Sequence, residues 1–319
     1  MTMKLCFVMD PIESIHFKKD TTFALMLEAL KRGIEIYTLQ ASHLYLAENQ
    51  VCGLASRLRV KDEPNNYFEY IDKEPHALPL TAFDAVLMRK DPPFNIAYLY
   101  ATYLLELAEK AGCFIVNRPS SIRDANEKLF TQWFPDCCPP TIVTSQKNLI
   151  NDFLTKHHKI VIKPLHSMGG QGVLVLNEGD LNFNAAIELL THVGKYPIMA
   201  QRYLPQIQET GDKRILMIEG KPYPHALARI PAKNDFRGNL ASGAMGVKHD
   251  LNERDQWLCQ QVGPTLKDKG LFLVGLDVIG DFITEINVTS PTGAREIESL
   301  FKVNVAATIL DSLVCNIKK

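Results

Sequence analysis

Short apolar runs alternate with helical segments along residues 1–122, and this alternation restricts the fold more than any other feature of the chain. The first apolar run ends at Asp10, and Asp20 is positioned to cap a helix that stops at Gly33. Strands that alternate with helices indicate a parallel sheet covered on both faces. We therefore expect an N-terminal parallel α/β domain over residues 1–122. The complete pattern predicts strands at 5–9, 34–38, 86–89 and 113–117 and helices at 20–32 and 96–110.

From residue 126 onward, shorter strands and helices predict two further α+β units, over residues 123–203 and 204–319. Two strands flank Gly220-Lys-Pro222, which predicts an antiparallel hairpin in the second unit. The first unit is expected to have helices after 126 and at 149–156 and 184–193, with strands at 141–144, 159–163, 173–176 and 197–202. The second is expected to have strands at 213–219, 225–230, 271–279 and 282–288 and helices at 253–269 and 302–314.

The charge balance and the cysteine pattern exclude several classes of function. The 319 residues include 35 Lys and Arg and 36 Asp and Glu, so a nucleic-acid partner would need a local basic patch. None of the seven cysteines forms a Cys-x-x-Cys motif, which argues against a zinc ribbon and favours a reduced cytosol. The apolar run before Asp10 is too short for a secretory signal, and the longest run, Ile96–Ala108, is too short to span a membrane. We expect a cytoplasmic protein with no nucleic-acid or membrane partner.

A glycine-bearing loop, His166–Gly172, lies between two predicted strands, the first of which ends at Lys163-Pro164. Rossmann and Walker phosphate loops each open a helix, so neither motif is present. Between two strands, small residues let backbone N–H groups close over phosphates while Lys163 supplies a positive charge. A glycine-rich hairpin with a solvated lysine is the alternative.

Asp277, Glu285 and Asn287 bring three oxygen ligands to two apolar strands. Glu285 and Asn287 share one face because strand side chains alternate, and Mg²⁺ accepts one or two carboxylates together with phosphates. The set therefore indicates a site for a magnesium–nucleotide complex. An ion pair between Glu285 and an arginine is the alternative.

The register of these two strands decides whether the carboxylates meet. A two-residue turn at Gly280-Asp281 would pair Asp277 with Thr284, whereas a three-residue loop that ends at Phe282 would set Asp277 opposite Glu285. We predict the three-residue loop, because only an odd-numbered loop builds the cluster.

The C-terminal unit contains three arginines that lie close together in the sequence, on the predicted hairpin strands and in the segment that follows them: Arg214, Arg229 and Arg237. Charge spreads over the oxygens of a transferring phosphoryl group, so converging cations suit such a site. Each arginine alone could be a solvated surface side chain.

Residues 231–246 form a long segment of small residues, which predicts a mobile lid. A disordered surface connection is the alternative.

At these residues the sequence resembles the bacterial glutathione synthetases, members of the ATP-grasp ligase superfamily. Lys163, the glycine loop and Glu285-x-Asn287 are typical of the superfamily, and the resemblance extends over the whole chain. The most specific segments are Leu87-Met-Arg-Lys-Asp-Pro-Pro-Phe94 and Thr284-Glu-Ile-Asn-Val-Thr-Ser-Pro291.

The resemblance implies an α/β fold in which a pre-ATP-grasp domain precedes an ATP-grasp fold of two α+β subdomains with an antiparallel C-terminal sheet. It also implies an ATP-dependent ligation of γ-glutamylcysteine with glycine through an acyl phosphate, with Mg²⁺ or Mn²⁺, in a homo-oligomer. The first α+β unit would be the small lid subdomain and the second the catalytic one. Because the amine attacks an activated carbonyl directly, no nucleophilic side chain is needed.

Roles in this reaction follow from the resemblance, residue by residue. Arg229, Arg237 and Arg214 would act on the reacting groups, and Asp277, Glu285 and Asn287 would hold the metal. The nucleotide would contact Lys128, Lys163, Met168, Gly169, Gly170, Gln201, Tyr203, Leu204, Asp212 and Asn239. The peptide substrate would contact Asp10, Ser14, Arg89, Lys90, Asp91, Ser290, Thr292 and Gly293.

Two other functions stay open at this point. One is a different ATP-grasp carboxylate–amine ligase, against which the Asp10-Pro11 and Arg89-Lys-Asp91 segments argue. The other is a non-catalytic ATP-binding module, which the presence of Arg229 and the three metal-ligand candidates disfavours.

Overall fold

A mixed sheet forms the N-terminal part of the computed structural model, which describes residues 2–233, 235–238, 240 and 243–318. Its elements are β1 (Lys4–Val8), α1 (Thr21–Lys31), β2 (Glu35–Leu39), β3 (Leu44–Ala47), β4 (Gln50–Val60), β5 (Phe68–Tyr70), β6 (His76–Pro79), β7 (Ala85–Met88), α2 (Ile96–Lys110), β8 (Ile115–Val116) and α3 (Pro119–Asp124). As predicted, the Asp20 side chain caps α1 by accepting a hydrogen bond from Phe23 N at 2.7 Å.

The predicted parallel sheet is confirmed for β1, β2, β7 and β8, which pair in parallel. The sequence analysis did not predict the antiparallel half of this sheet, in which β4 pairs with β2, β3, β5 and β6. Short turns rather than helices join these added strands, so the strand–helix alternation is absent from residues 40–84.

Both faces of this sheet are covered, and the coverage involves both ends of the chain. Leu5 and Phe7 of β1 pack in one hydrophobic cluster, whereas Cys6 and Val8 pack in another on the opposite face. The second cluster is completed by α2, and the first by α1 together with the last helix of the chain, α9, described below.

The middle unit is a small antiparallel sheet with two helices. Its elements are β9 (Thr141–Thr144), α4 (Lys147–His157), β10 (Lys159–Pro164), β11 (Leu174–Asn177), α5 (Phe183–Thr191) and β12 (Ile198–Arg202), with the strand order β11-β10-β12-β9. The helix predicted after Asn126 is wrong, because this segment forms 3₁₀ turns at Leu129–Trp133 and Pro135–Cys137. The Asn126 side chain accepts hydrogen bonds from the N–H groups of Lys128 and Leu129 and so closes a local turn instead.

The C-terminal unit contains an antiparallel sheet with the order β16-β15-β13-β17-β18. Its elements are α6 (Gln206–Glu209), β13 (Asp212–Ile218), β14 (Lys221–Pro222), β15 (His225–Ile230), β16 (Met245–Asp250), α7 (Glu253–Asp268), β17 (Leu273–Ile279), β18 (Phe282–Asn287), α8 (Ala294–Phe301) and α9 (Val305–Ile317). The predicted hairpin is confirmed by the antiparallel pairing of β13 with β15. The sequence analysis missed α8, which Lys302 ends in a left-handed conformation before Asn304 caps α9.

The segment predicted as a lid over 231–246 is shorter in the structure. Met245 and Gly246 belong to β16 and pair with Ile230 and Arg229 of β15. Residues 231–244 therefore connect two neighbouring antiparallel strands.

Asn117 joins the N-terminal sheet to the C-terminal one through its buried side chain. Its amide oxygen accepts from Leu273 N at 2.8 Å, and its amide nitrogen donates to the carbonyls of Leu273 at 2.9 Å and Val288 at 2.7 Å. These bonds link β17 and the end of β18 to the residue that follows β8. Among the residues that the structure describes, every helix is too short or too polar to cross a membrane.

Candidate active site

Two adjoining cavities meet at the C-terminal sheet. Met168, Gly169, Asp277 and Glu285 line both cavities, so ligands in the two cavities would meet at these carboxylates. Residues lining the first cavity also include Lys128, Lys163, Gly170, Gln201, Tyr203, Leu204, Asp212 and Arg237. Residues lining the second also include Asp91, Glu127, Arg214, Arg229, Asn287, Ser290, Thr292 and Gly293.

A row of charged side chains crosses the sheet where the cavities meet. The register pairs Arg214 of β13 with Asp277 of β17, and Asp277 with Glu285 of β18. Directly opposite residues in an antiparallel sheet share a face, so all three side chains point to the cavities. Two residues before Arg214 on β13, Asp212 lies opposite Arg229 of β15.

A β-bulge, rather than a three-residue loop, sets Asp277 opposite Glu285. Ile279 pairs with Phe282 across a two-residue turn, so the predicted loop is wrong. The register then shifts between Asp277 and Val278, because Thr284 is an extra residue in β18. The carbonyl of Thr284 accepts a hydrogen bond from Lys163 Nζ at 3.0 Å. The bulge thus brings the carboxylates together and binds the lysine at the end of β10.

Asp277 is held by two arginines. Its Oδ1 accepts from Arg214 Nε at 2.7 Å and lies 3.0 Å from Arg229 Nη2, while its Oδ2 accepts from Arg214 Nη2 at 3.1 Å. Burial alone would raise the pKa of Asp277, but Arg214 and Arg229 together hold it well below its usual range. Gly275 makes room for the Arg214 side chain, since a Cβ there would lie 3.0 Å from Arg214 Cδ.

Asp212 differs from Asp277, because its pKa is raised instead of lowered. Its Oδ2 accepts from Arg229 Nη2 at 2.5 Å, whereas its Oδ1 is buried without a partner in the described part of the chain. Burial, with a contribution from the Asp277 carboxylate, raises the pKa of Asp212 to about 7 in spite of Arg229. Asp212 lines the first cavity, and its buried Oδ1 is a polar atom whose hydrogen-bonding capacity the described residues leave unused.

Lys128 connects the glycine loop to the carboxylates. Its Nζ donates to Glu285 Oε1 at 2.8 Å and to the carbonyl of Ser167. Lys163 lies close by, and burial, together with the Lys128 charge, lowers the pKa of Lys163 to about 8 even though Glu285 opposes this change. Two lysines thus border the end of the first cavity where the carboxylates lie.

Family models match both parts of the chain. The model described as the N-terminal domain of prokaryotic glutathione synthetase matches residues 3–123, and the model for its ATP-grasp domain matches residues 127–302. The glutathione synthetase of Coxiella burnetii is 51% identical over 97% of this chain and 96% of its own length. That of Vibrio parahaemolyticus is 48% identical over 99% of both chains. The chain belongs to the prokaryotic glutathione synthetase family.

Solved structures with lower identity have the same fold. D-cycloserine synthetase DcsG superimposes with a TM-score of 0.68 at 14% identity, over 98% of this chain and 99% of that one. The ATP-grasp ligase PsnB, in a complex with a phosphomimetic precursor variant, Mg and ADP, gives a TM-score of 0.65 at 18% identity over 99% of each chain. The predicted combination of an N-terminal α/β domain with an ATP-grasp fold is therefore confirmed for this family member.

Most residues that the resemblance assigned to the nucleotide line the first cavity. Gln201 donates to Thr141 Oγ1 at 3.0 Å, and the Tyr203 ring lies 4.0 Å from Lys159 Nζ, next to Leu204. Arg237 also lines this cavity and is paired with Asp235, their Nη2 and Oδ2 atoms 2.7 Å apart. Asn239 lies outside the described residues.

The residues assigned to the peptide substrate divide into two groups. Asp91, Ser290, Thr292 and Gly293 line the second cavity. The other four line neither cavity, and their side chains bond to other parts of the chain. Lys90 Nζ donates to Asp10 Oδ1 at 2.5 Å. Ser14 donates to Pro11 O at 2.7 Å, and buried Arg89 donates to Thr22 Oγ1 at 3.0 Å and Pro291 O at 2.9 Å.

The residues expected to hold the metal fit a hard cation by their donor atoms. Asp277 and Glu285 supply carboxylate oxygens, and Asn287 donates through Nδ2 to Gly275 O at 3.1 Å, which leaves its amide oxygen as an acceptor. Oxygen donors of this kind suit Mg²⁺ or Mn²⁺. Within the described ranges, no group of three His, Cys, Asp or Glu side chains is placed to hold a metal.

Glu127 is a residue of the second cavity that sequence reasoning missed. Its Oε1 accepts from Val288 N at 2.8 Å, Thr289 N at 3.0 Å and Thr289 Oγ1 at 2.8 Å. The signal for it in the sequence is its position beside Lys128, the one residue of this pair to which the resemblance assigns a role.

Proposed function

We propose that this chain catalyses the ATP-dependent ligation of γ-glutamylcysteine with glycine, with glutathione, ADP and phosphate as products. The observation that carries the proposal is the meeting of two cavities at Asp277 and Glu285, in a chain 51% identical to a glutathione synthetase. A ligase that first phosphorylates a carboxylate and then joins it to an amine needs its nucleotide and its acid substrate in contact at such a point.

ATP would occupy the first cavity. Gln201, Tyr203 and Leu204 line its adenine end in this proposal, and Lys128, Lys163 and Met168–Gly170 surround the phosphates. Asp212, which lines the same cavity, would contact the nucleotide. Arg237 and Asn239 would contact ligands from the segment that joins β15 to β16.

The acid substrate would occupy the second cavity, with its reacting carboxylate directed to Asp277 and Glu285. Arg229 and Arg214, fixed by Asp277, would stabilise the charge that develops on the phosphoryl group and on the tetrahedral intermediate. Ser290, Thr292 and Gly293 would contact the peptide from one side and Asp91 from the other. Asp10, Ser14, Arg89 and Lys90 would shape this side of the site through the contacts described above.

A divalent cation, Mg²⁺ or Mn²⁺, would be held by Asp277, Glu285 and Asn287. When bound it would neutralise phosphate charge and polarise the transferring group. The protein's own part is to orient the acid, exclude water and bind the phosphate oxygens with Arg229, Lys128 and Lys163.

The release of ADP from ATP in the presence of Mg²⁺ tests this function when it is measured with γ-glutamylcysteine alone, with glycine alone and with both. Purified protein with ATP and Mg²⁺ should release ADP rapidly only when both γ-glutamylcysteine and glycine are present, and glutathione should form in equal amount. ADP release that requires another acid or amine would indicate a different ATP-grasp ligase. ATP binding without turnover for any acid–amine pair would indicate a non-catalytic module.

The proposal also includes an oligomeric state, a cellular compartment and the limits of three domains. The homo-oligomer implied by the resemblance can be tested by light scattering of the purified protein. The free cysteines at all seven positions support a reducing compartment such as the cytoplasm. The domain limits at 1–122, 123–203 and 204–319 can be tested by limited proteolysis.

A further inference from the structure

Glu127 differs from the other carboxylates of the second cavity in its charge environment. Asp277 is paired with Arg214 and Arg229, Glu285 is paired with Lys128, and Asp91 is exposed to solvent. Glu127 is partly buried, and within residues 2–233, 235–238, 240 and 243–318 it forms no ion pair. The cavity thus contains one fixed negative charge that no cation of the described chain neutralises.

The two oxygens of Glu127 have separate roles. Oε1 accepts all three hydrogen bonds from Val288 and Thr289, and these bonds fix the plane of the carboxylate. Oε2 accepts no hydrogen bond from the described residues, and Glu127 lines the second cavity. Oε2 is therefore the atom available to a ligand.

Glu127 lies beside the residues that are proposed to hold the metal. Lys128, its neighbour in sequence, binds Glu285, and the Glu127 carbonyl accepts from Ile286 N at 2.8 Å beside the metal-ligand candidates. Burial, followed by the nearby Glu285 carboxylate, raises the pKa of Glu127, so a cation that enters with the substrate would relieve an unfavourable charge.

We propose that Glu127 binds the ammonium group of the attacking amine through Oε2. This inference rests on the proposed function, in which that amine is glycine and enters as its zwitterion. The carboxylate would hold the ammonium group beside the acyl phosphate; after one proton has passed to water, the free amine would attack the carbonyl and phosphate would leave. The same contact would distinguish amino acids from acceptors that lack the positive charge.

The Glu127→Gln variant separates this role from anchoring of the 288–289 backbone, because an amide oxygen can still accept the three bonds at Oε1. Loss of a hydrogen bond to a charged group corresponds to an increase in KM of about 10- to 100-fold, and we expect this increase for glycine. The KM values for ATP and γ-glutamylcysteine should change by less than about threefold.

Hydroxylamine provides a second amine that is uncharged at neutral pH and traps acyl phosphates as hydroxamates. We expect Glu127→Gln to form hydroxamate from ATP and γ-glutamylcysteine at nearly the wild-type rate. An unchanged KM for glycine, or equal losses with glycine and hydroxylamine, would overturn the proposal. So would a raised Mg²⁺ requirement, since Glu127 would then belong to the metal site.

Thr289→Val is the matched control, because it removes one bond to Glu127 Oε1 and keeps the carboxylate charge. Its KM for glycine should rise less than that of Glu127→Gln, and an equal rise would assign Glu127 an anchoring role only. A wild-type protein that forms neither glutathione nor hydroxamate would instead overturn the proposed function, and the inference with it.

Discussion

Lys128 Nζ lies 2.8 Å from Glu285 Oε1 and also donates to the carbonyl of Ser167, so one ammonium group joins the glycine loop to a carboxylate on the sheet. Through Lys128, the glycine loop is therefore connected directly to the proposed metal site. It also means that a ligand with its own cation must displace or share this lysine.

We expect Glu285→Gln to lower turnover by more than roughly 100-fold, beyond the loss typical of an outer-shell metal partner. The amide keeps the shape of the side chain but removes a charged ligand and the ionic partner of Lys128. ADP release at saturating Mg²⁺ and a thermal melt would measure activity and folding separately. The exposed Glu188→Gln on α5 is the control and should keep wild-type activity. Normal turnover by Glu285→Gln would rule out the metal-binding role.

We expect Arg229→Met to reduce kcat by up to roughly 10³-fold while ATP affinity falls much less, because an arginine on the transferring group acts mainly in the transition state. Removal of Arg229 also leaves Asp212 and Asp277 with less positive charge, so unfolding should occur at a lower temperature. Arg229→Lys, which keeps the charge, should retain more stability. Unchanged kcat with weakened ATP binding would limit Arg229 to ground-state binding.

Binding of ATP should take up protons at alkaline pH. Burial lowers the pKa of Lys163 to about 8 in the free protein, and nearby phosphates would raise it towards the ordinary value. At pH values of about 8 to 9, Lys163 is therefore partly deprotonated before binding and protonated afterwards. Calorimetric titrations in buffers of different ionisation enthalpy would measure this uptake. Lys163→Arg stays charged and should abolish it, and proton release on wild-type binding would contradict the assignment.

The segment 231–244 should protect the site only when ligands are bound. Phe236 and Gly238 line the first cavity and Leu240 lines the second, so closure over both ligands would use this segment. Trypsin should cut after Lys233 and Arg237 rapidly in the free enzyme and slowly with ATP, Mg²⁺ and γ-glutamylcysteine. Shortening the segment should increase ATP hydrolysis without ligation, because water reaches the acyl phosphate. Equal cutting with and without ligands would exclude a lid.

Asn117→Ala should lower the free energy of unfolding by about 2–4 kcal/mol, because three buried bonds to Leu273 and Val288 are lost together. Urea unfolding followed by circular dichroism would measure the change. The exposed Asn184→Ala on α5 should stay within about 0.5 kcal/mol of the wild type. Similar effects of the two variants would remove Asn117 from the domain junction.

Sequence patterns predicted the elements whose burial follows a simple period. α1, α2 and β9 lie where the apolar spacing and the caps predicted them, and α2 has the predicted bounds. In the antiparallel half of the first sheet, β5 and β6 were missed because neither strand carries a buried residue that would mark it in the sequence.

The site depended on details that no periodic pattern contains. The carboxylates of Asp277 and Glu285 were correctly predicted to face each other, but for the wrong reason. A bulge at Thr284 depends on tertiary contacts, here the bond from Lys163, and the turn sequence alone gives no sign of it. Glu127 was missed because its importance comes from backbone groups more than 150 positions away, at Val288 and Thr289.

The packing of α9 on α1 has a consequence for biosynthesis. Ile309, Leu310 and Leu313 of α9 share one hydrophobic cluster with Phe23 and Leu25 of α1, although the two helices lie far apart in the sequence. The N-terminal sheet and α1 are therefore synthesised before α9, and part of one apolar face stays uncovered until α9 follows. Chains that stall before α9 would keep this apolar surface exposed, and such surface favours aggregation.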